Sequence, residues 1–213
     1  MLDWLGVEGD QLHTAFRHVF GDRIRPFGSR SLHTGGLSDG NQGVQWNAGY
    51  DPRTGEQWVG VNLEGMQYDG WPIARLIERE LRTLKLLDVI KSVSNPDPAR
   101  VQWTRDYWQA TSRPPIVETH IAQTPVRLSR LDEAAWRAAL AEALDCLDPA
   151  RLHRGRATQH VTLAASGRRV AGPVSPHLTV VFPALARVPW LDFLVEAKSR
   201  MHPFYDWAAE QAA

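Results

Sequence analysis

The hydrophobic positions of this chain switch between a helical period and a strict alternation several times, and each switch marks an element. Leu12, Phe16, Val19 and Phe20 recur on one stripe and predict an amphipathic helix from about Gly9 to Phe20. A short strand over 23–27 follows. Residues 28–42 are dense in Gly, Ser, Asp and Asn, which predicts a long loop. Loops of that length inside a compact domain are commonly functional or mobile.

Alternation then takes over. Val44, Trp46, Ala48 and Tyr50 share one face of a strand, and Val59, Val61 and Leu63 share one face of the next. Asp51-Pro52-Arg53-Thr54-Gly55 lies between them, with Pro suited to the second position of a type I turn and Gly to the positive φ that ends it. The two apolar sets oppose each other only if the loop is Pro52 to Gly55, because a one-residue slip would send them to opposite faces. That register gathers Gln45, Asn47, Trp58, Asn62 and Glu64 on the other side of the hairpin.

Asp69-Gly70-Trp71-Pro72 predicts a helix from Pro72 to about Val93, with Ile73, Ile77, Leu81 and Leu84 inward and Glu78 and Arg82 paired outside. Strand-like segments over 100–110 and 116–128 follow, joined by the Thr111–Pro115 turn. Ser129-x-x-Asp132 has the form of a capping box, opening a helix from about Leu131 to Leu147. A third hairpin over 158–183, with turns at Ser166-Gly167 and Gly172-Pro173, leads to a final helix that starts at Pro189 and breaks at His202-Pro203. Hairpin followed by helix, three times over, predicts an α+β fold: a largely antiparallel sheet with the helices mainly on one face. A βαβ arrangement is the competing topology. The expected organisation is one domain, 1–213, with sub-units 1–95, 96–150 and 151–213.

Composition narrows the function classes. Of the 213 residues, 43% are hydrophobic and 23% charged, as expected of an ordinary globular protein. Lys plus Arg equals Asp plus Glu at 24 each, which disfavours a dedicated electrostatic binder of nucleic acid. Cys146 stands alone, so neither an internal disulfide nor a cysteine-based zinc site can form. The N-terminal stretch is acidic and lacks a signal-like apolar run, and no segment approaches the ~20 apolar residues of a membrane span. The expectation is a cytoplasmic protein of a bacterium-like host. Among nine tryptophans, Trp46 and Trp136 fall on core stripes, whereas Trp58 falls among amides. A large aromatic left in water is a contact that lacks its partner.

Catalytic chemistry has weaker signals. Glu118 and His120 alternate with apolar neighbours, as do His160 and Thr162. Glu118, His120 and His160 could in principle converge on one divalent metal. A restriction-type nuclease core needs an acidic-x-Lys strand after its Asp, and the only such triplet, Glu196-Ala197-Lys198, falls on a helical stripe. His160-Val161-Thr162 and His177-Leu178-Thr179 resemble the paired His-x-Thr strands of the two-histidine phosphoesterase superfamily, where histidines from separate lobes act as acid and base. There the motifs lie far apart; here 16 residues separate them, and two ordinary alternating strands account for both. The 23–42 segment carries Arg30 and His33 beside Gly35-Gly36 without a phosphate-loop pattern, and predicts a mobile loop able to fold over the sheet.

Two functional readings remain. The first is a non-enzymatic binding protein using Gln45, Asn47, Trp58 and Asn62, with Arg30 and His33 from the loop. Its expected partner is a protein or peptide, with nucleic acid less suited to the neutral charge and a homo-oligomer left open. No cofactor and no membrane are expected. The alternative is a hydrolase of phosphoesters or nucleic acid, with Glu64, Glu118, His120 and His160 as its polar centre and a divalent metal as its cofactor.

Overall fold

A computed structural model describes residues 5–29, 34–41, 43–64, 79–93, 97–109, 116–122, 125–146, 152–153, 156–162 and 167–212. Its helices are α1 (Val7–Phe20), α2 (Lys85–Lys91), α3 (Glu133–Cys146) and α4 (Trp190–Ala212). Its strands are β1 (Arg25–Ser29), β2 (Thr34–Ser38), β3 (Val44–Asp51), β4 (Glu56–Glu64), β5 (Arg100–Gln109), β6 (Ile116–Ala122), β7 (Val126–Arg127), β8 (Leu152–His153), β9 (Arg156–Thr162) and β10 (Arg169–Pro183). All pair into one antiparallel sheet along the path β1-β2-β3-β4-β10-β5-β6. β7 joins β5, and β9 and then β8 extend from the first half of β10. The fold is α+β.

The β3–β4 hairpin has the register that core burial demands. Val44 pairs with Leu63, Trp46 with Val61 and Ala48 with Val59, and Asp51 closes on Glu56 around the Pro52–Gly55 turn. Gly55 takes φ +74°, a conformation that a side chain would disfavour, and Asp51 accepts the Arg53 N–H at 2.8 Å to hold the turn. β10 then inserts between β4 and β5 and extends the apolar face with Leu178, Val180 and Phe182 opposite Leu63, Val61 and Val59.

Helices α1 and α4 cover that face. Phe16 and Phe20 of α1, Trp46 of β3 and Tyr205 of α4 form a run of rings, with centroids 4.7, 5.1 and 4.9 Å apart in turn. Buried Gln57 pins the β10–α4 connection by donating to the Val188 carbonyl and accepting its N–H, both at 3.0 Å. Among the described residues no helix is long and apolar enough to cross a membrane.

Several local expectations are corrected. Residues 28–42 are not one long loop: β1 and β2 pair from Ser29↔Thr34 to Arg25↔Ser38, so Gly35 and Gly36 are strand residues. Gly-rich sequence reads as a loop, yet here the missing side chains make room for a ring, as described below. The 72–93 helix is interrupted: 79–83 are helical, Leu84 turns left-handed at φ 54°, and α2 starts afresh at Lys85. Residues 72–78 lie outside the described residues. The cap of α3 is Asp132, whose Oδ1 accepts the Ala135 N–H at 2.7 Å, while Ser129 sits in a 3-10 turn, Leu128–Arg130. β10 runs straight through Gly172-Pro173, and α4 continues through Pro203. In both cases a long element packed along its length tolerates a residue that local preference would place at an end.

Candidate functional site

The face of the sheet turned away from α1 and α4 is organised in cross-strand rows. Gln45, Asn62, Thr179 and Gln102 align across β3, β4, β10 and β5. One step along lie Ser38, Asn47, Gly60 and Val181, with Arg25 and Arg100 at the two ends of that row. The next row is Phe27, Gly36, Gly49, Trp58 and Pro183. On the other side of the amide row, Glu64, His177 and Thr104 align.

The row of Phe27 and Trp58 shows how this face closes up. A Cβ on Gly36 would fall 2.6 Å from the Phe27 ring and 2.4 Å from the Ala48 carbonyl oxygen; one on Gly49 would fall 2.4 Å from the Trp58 ring. Each glycine therefore lies beneath an aromatic ring. Three strand spacings would hold β1 and β4 ~14 Å apart in a flat sheet, yet the two ring centroids are 6.2 Å apart. Both rings lean inward over the glycines, and the sheet curls with them. Its terminal strands β1 and β6 come within 8 Å at their Cα atoms.

The curl corrects the expected exposure. Trp58 is only half-buried rather than free in water, and the amide face is not a solvated one: Gln45, Asn62 and His177 are 8%, 5% and 6% exposed. Alternation identifies which residues share a face, but not that the face is concave.

Buried polar groups need partners, and most here have them. Asn62 Oδ1 accepts from Thr179 Oγ1 at 2.9 Å, which leaves its amide nitrogen to donate to His177 Nδ1 at 3.1 Å. Ser38 Oγ donates to Gln45 Oε1 at 3.1 Å and accepts the Gly40 N–H at 3.0 Å. Arg100 is held by Glu56, its Nη1 donating to Oε2 at 3.1 Å. Asn47 differs. Its Oδ1 is buried without a hydrogen-bond partner, one step along β3 from the row of Trp58.

The β2–β3 turn fastens this face to α4. Buried Asp39 accepts from the Asn41 backbone N–H at 3.1 Å and from Asn41 Nδ2 at 2.8 Å, and the same amide donates to Tyr205 Oη at 3.1 Å. Burial pushes the Asp39 carboxyl above its ordinary value, against the lowering pull of its Asn41 and Trp46 backbone hydrogen bonds. Tyr205 is raised as well, by burial first and by the nearby Asp39 charge second.

Gln45, Asn47, Trp58, Asn62 and Glu64 thus occupy one face of one hairpin. The residues expected to join them from other strands do not fall into line. Glu118 lies in the row of Tyr107 and Val174, which is in step with Leu178 rather than His177. His120 sits where the β5–β6 register shifts, between the pairs Arg105↔Ile121 and Asp106↔Thr119. His160 is opposite Ala171, six residues along β10 from His177 and so ~20 Å away along an extended strand. The two His-x-Thr segments therefore do not meet. Arg30 and His33 lie outside the described residues. Among the described residues, no group of three or more His, Cys, Asp or Glu side chains is placed to hold a metal ion.

The residue that does reach the amide row is His177, followed by Thr179. Their alternation was visible, but β10 pairs with a strand more than a hundred positions earlier, and no local signal specifies that partner. No family model matches the chain, and neither curated proteins nor solved structures give a significant match.

Proposed function

We propose that this is a non-enzymatic binding protein that receives a small polar ligand, or the end of a partner chain, on the concave face around Asn47, Trp58 and Asn62. The observation that carries this reading is Asn47 Oδ1, a buried acceptor left without a donor beside a half-buried indole. An unmet acceptor of this kind costs about 1–3 kcal/mol, a cost that a ligand hydroxyl or amide N–H would remove once a shift of the neighbouring side chains uncovers the buried atom. A broad protein surface is a poorer fit than the sequence suggests, because the curl admits only something narrow. A single cysteine and balanced charge suit a reducing compartment such as the bacterial cytoplasm.

The test is a chemically broad fragment library screened by ligand-observed NMR against the wild type and Asn47→Leu. Binders that disappear with Asn47→Leu support the role. A library without Asn47-dependent binders refutes it, most directly if Asn47→Leu is also more stable than the wild type.

A hydrolase is the second reading, favoured by one pairing: Glu64 and His177 are cross-strand neighbours, and Asn62 fixes the role of His177 Nδ1 as an acceptor. A histidine oriented by one neighbour, in register with an acidic residue on the next strand, is the pattern from which an acid–base unit can be built. Turnover of generic phosphoesters that is lost in His177→Ala would support this reading over simple binding.

A further inference from the structure

We propose a second binding surface, on the arm formed by β8, β9 and the first half of β10: a cationic sheet face that holds the backbone of a single-stranded nucleic acid. It does not depend on the site around Asn47. The even balance of charge over the whole chain hides a local imbalance. Between Asp148 and Asp192 the sequence has no Asp, Glu or Lys, yet it holds Arg151, Arg154, Arg156, Arg168, Arg169 and Arg187. All but Arg187 fall within the arm or next to it in sequence.

The pairing sorts the arm into two faces. β4 flanks β10 as far as His177, and β9 takes over from Val174. Arg169 is opposite Thr162, Ala171 opposite His160 and Pro173 opposite Thr158, while His153 is opposite Arg156. Successive residues of a strand alternate between its faces, so the arginines, histidines and threonines of these pairs share one face. Leu152, Ala157, Val161, Val170 and Val174 take the other, in step with Leu178 and Val180 of the core. Arg168 and Arg169, where β10 begins, are both exposed. On the far side of β10, β5 places Asp106 opposite Ser175, with Trp108 two residues on and so on the same face. Asp106 is two strand spacings, roughly 10 Å, from β9. Glu64, opposite His177, lies past the root of the arm.

Each feature narrows the partner. Arginine without lysine suits a group that accepts two parallel N–H bonds, which is a phosphate or a carboxylate. Arginines interleaved with threonine hydroxyls are the usual donors to a nucleic-acid backbone. Trp108 on the same face offers a surface on which an unpaired base stacks, and cations beside an aromatic are what single strands bind. An anionic membrane surface would call for apolar residues among the cations, and the arm puts them on the opposite face. An acidic peptide shares the charge complementarity but makes no use of stacking.

The experiment is fluorescence anisotropy of labelled single-stranded DNA and RNA oligonucleotides with the purified full chain, at about 50 and about 200 mM salt. The expected result is binding of at least one of them that weakens steeply with salt. Arg156→Gln with Arg169→Gln should cost about tenfold or more and flatten the log–log salt slope by about 1.4, because each phosphate contact contributes about 0.7 for single strands. Arg169→Gln alone, at an exposed position, should flatten it by about 0.7 and provides the comparison if the double variant does not fold. Arg17→Gln with Arg53→Gln removes the same charge from exposed ion pairs elsewhere and should leave binding nearly unchanged; an equal loss there would reduce the effect to net charge and overturn the site. Duplex DNA bound as tightly as single strands, or full binding by Trp108→Leu, would overturn the single-strand assignment. Retention on phosphatidylserine vesicles or polyglutamate without oligonucleotide binding would overturn the nucleic-acid assignment. Silence with every probe would overturn the arm as a binding surface. Asn47-dependent fragment binding is read separately and stands or falls by itself.

Discussion

Replacing Glu80 by alanine should be among the most damaging single changes in this molecule, although nothing in the sequence around it advertises a structural role. Glu80 is 2% exposed, and its carboxylate does three things at once. Oε2 accepts the Leu86 N–H at 2.6 Å, Oε1 accepts the Leu87 N–H at 3.0 Å, and Oε1 also accepts Nε1–H of the fully buried Trp136 at 3.2 Å. The first two are N–H groups of the opening turn of α2, which have no partner within the helix. They exist as free ends because the helical run 79–83 is broken by left-handed Leu84. Glu80 therefore caps the helix that its own helix failed to continue into, and ties that junction to α3.

Loss of an ordinary helix cap costs about 1 kcal/mol, and a buried donor left unmet about 1–3 kcal/mol. Three donors lose their partner here, but they share one carboxylate and relax together, so simple addition overstates the total. A loss of about 3–5 kcal/mol is expected for Glu80→Ala, equivalent to roughly 10 °C in melting temperature for a chain of this size. Glu80→Gln should fall between, since its amide keeps one accepting oxygen and turns an NH2 group toward the remaining donors. Urea unfolding followed by tryptophan fluorescence and circular dichroism would read both. A Glu80→Ala midpoint within about 0.5 kcal/mol of the wild type, at unchanged m-value, would refute the reasoning. So would the absence of coupling in the double-mutant cycle with Trp136→Phe, because the cycle isolates the indole contact.

Further outcomes follow from the concave face and its anchor. Gly49→Ala places a methyl 2.4 Å from the Trp58 ring and 2.7 Å from the Gly35 carbonyl, and should cost about 1–3 kcal/mol in chemical unfolding; a neutral result would show that Trp58 does not rest there. Trp46→Ala, in the stacked run between α1 and α4, should cost about 3–5 kcal/mol, and half-buried Trp58→Ala clearly less; equal losses would contradict the burial assigned to the two rings. Asp39 carries its carboxyl above the ordinary 3.8 through burial, so the folded chain binds that proton more tightly than the unfolded chain. Its contribution to stability is greatest at low pH and declines as pH rises from about 4 through the raised value. Asp39→Asn should remove that decline, seen as a flatter stability profile than the wild type between about pH 4 and 7; parallel profiles would exclude the assignment.

What could be read from the sequence was whatever two neighbouring segments decide between them. The β3–β4 register is an example: Val44, Trp46 and Ala48 can meet Leu63, Val61 and Val59 in only one way around a turn the length of Pro52–Gly55. That argument also delivered Gln45, Asn47, Trp58 and Asn62 as one face. It could not deliver His177 and Thr179, because the choice of β10 as the neighbour of β4 rests on the whole sheet and no short-range pattern encodes it. The same limit explains Glu118 and His160. Each alternates correctly within its own strand, yet a shift in register near His120 and the length of β10 send them to other rows.

The exposure of Trp58 failed for a different reason. Alternation divides a strand into two faces and carries no information on whether a polar face is open or enclosed. Enclosure here depends on Gly36 and Gly49, which read as loop or filler until rings from β1 and β4 are seen lying over them. A sheet that needed only a stable core could have placed small polar side chains at both positions and left the face flat and wet. This one instead gives up two side chains, curls around an aromatic pair, and buries amides and a histidine that each require a partner. Most of those partners come from within the chain. Asn47 Oδ1 is, among the described residues of this face, an acceptor whose partner does not, and it is the atom on which the proposed binding role rests.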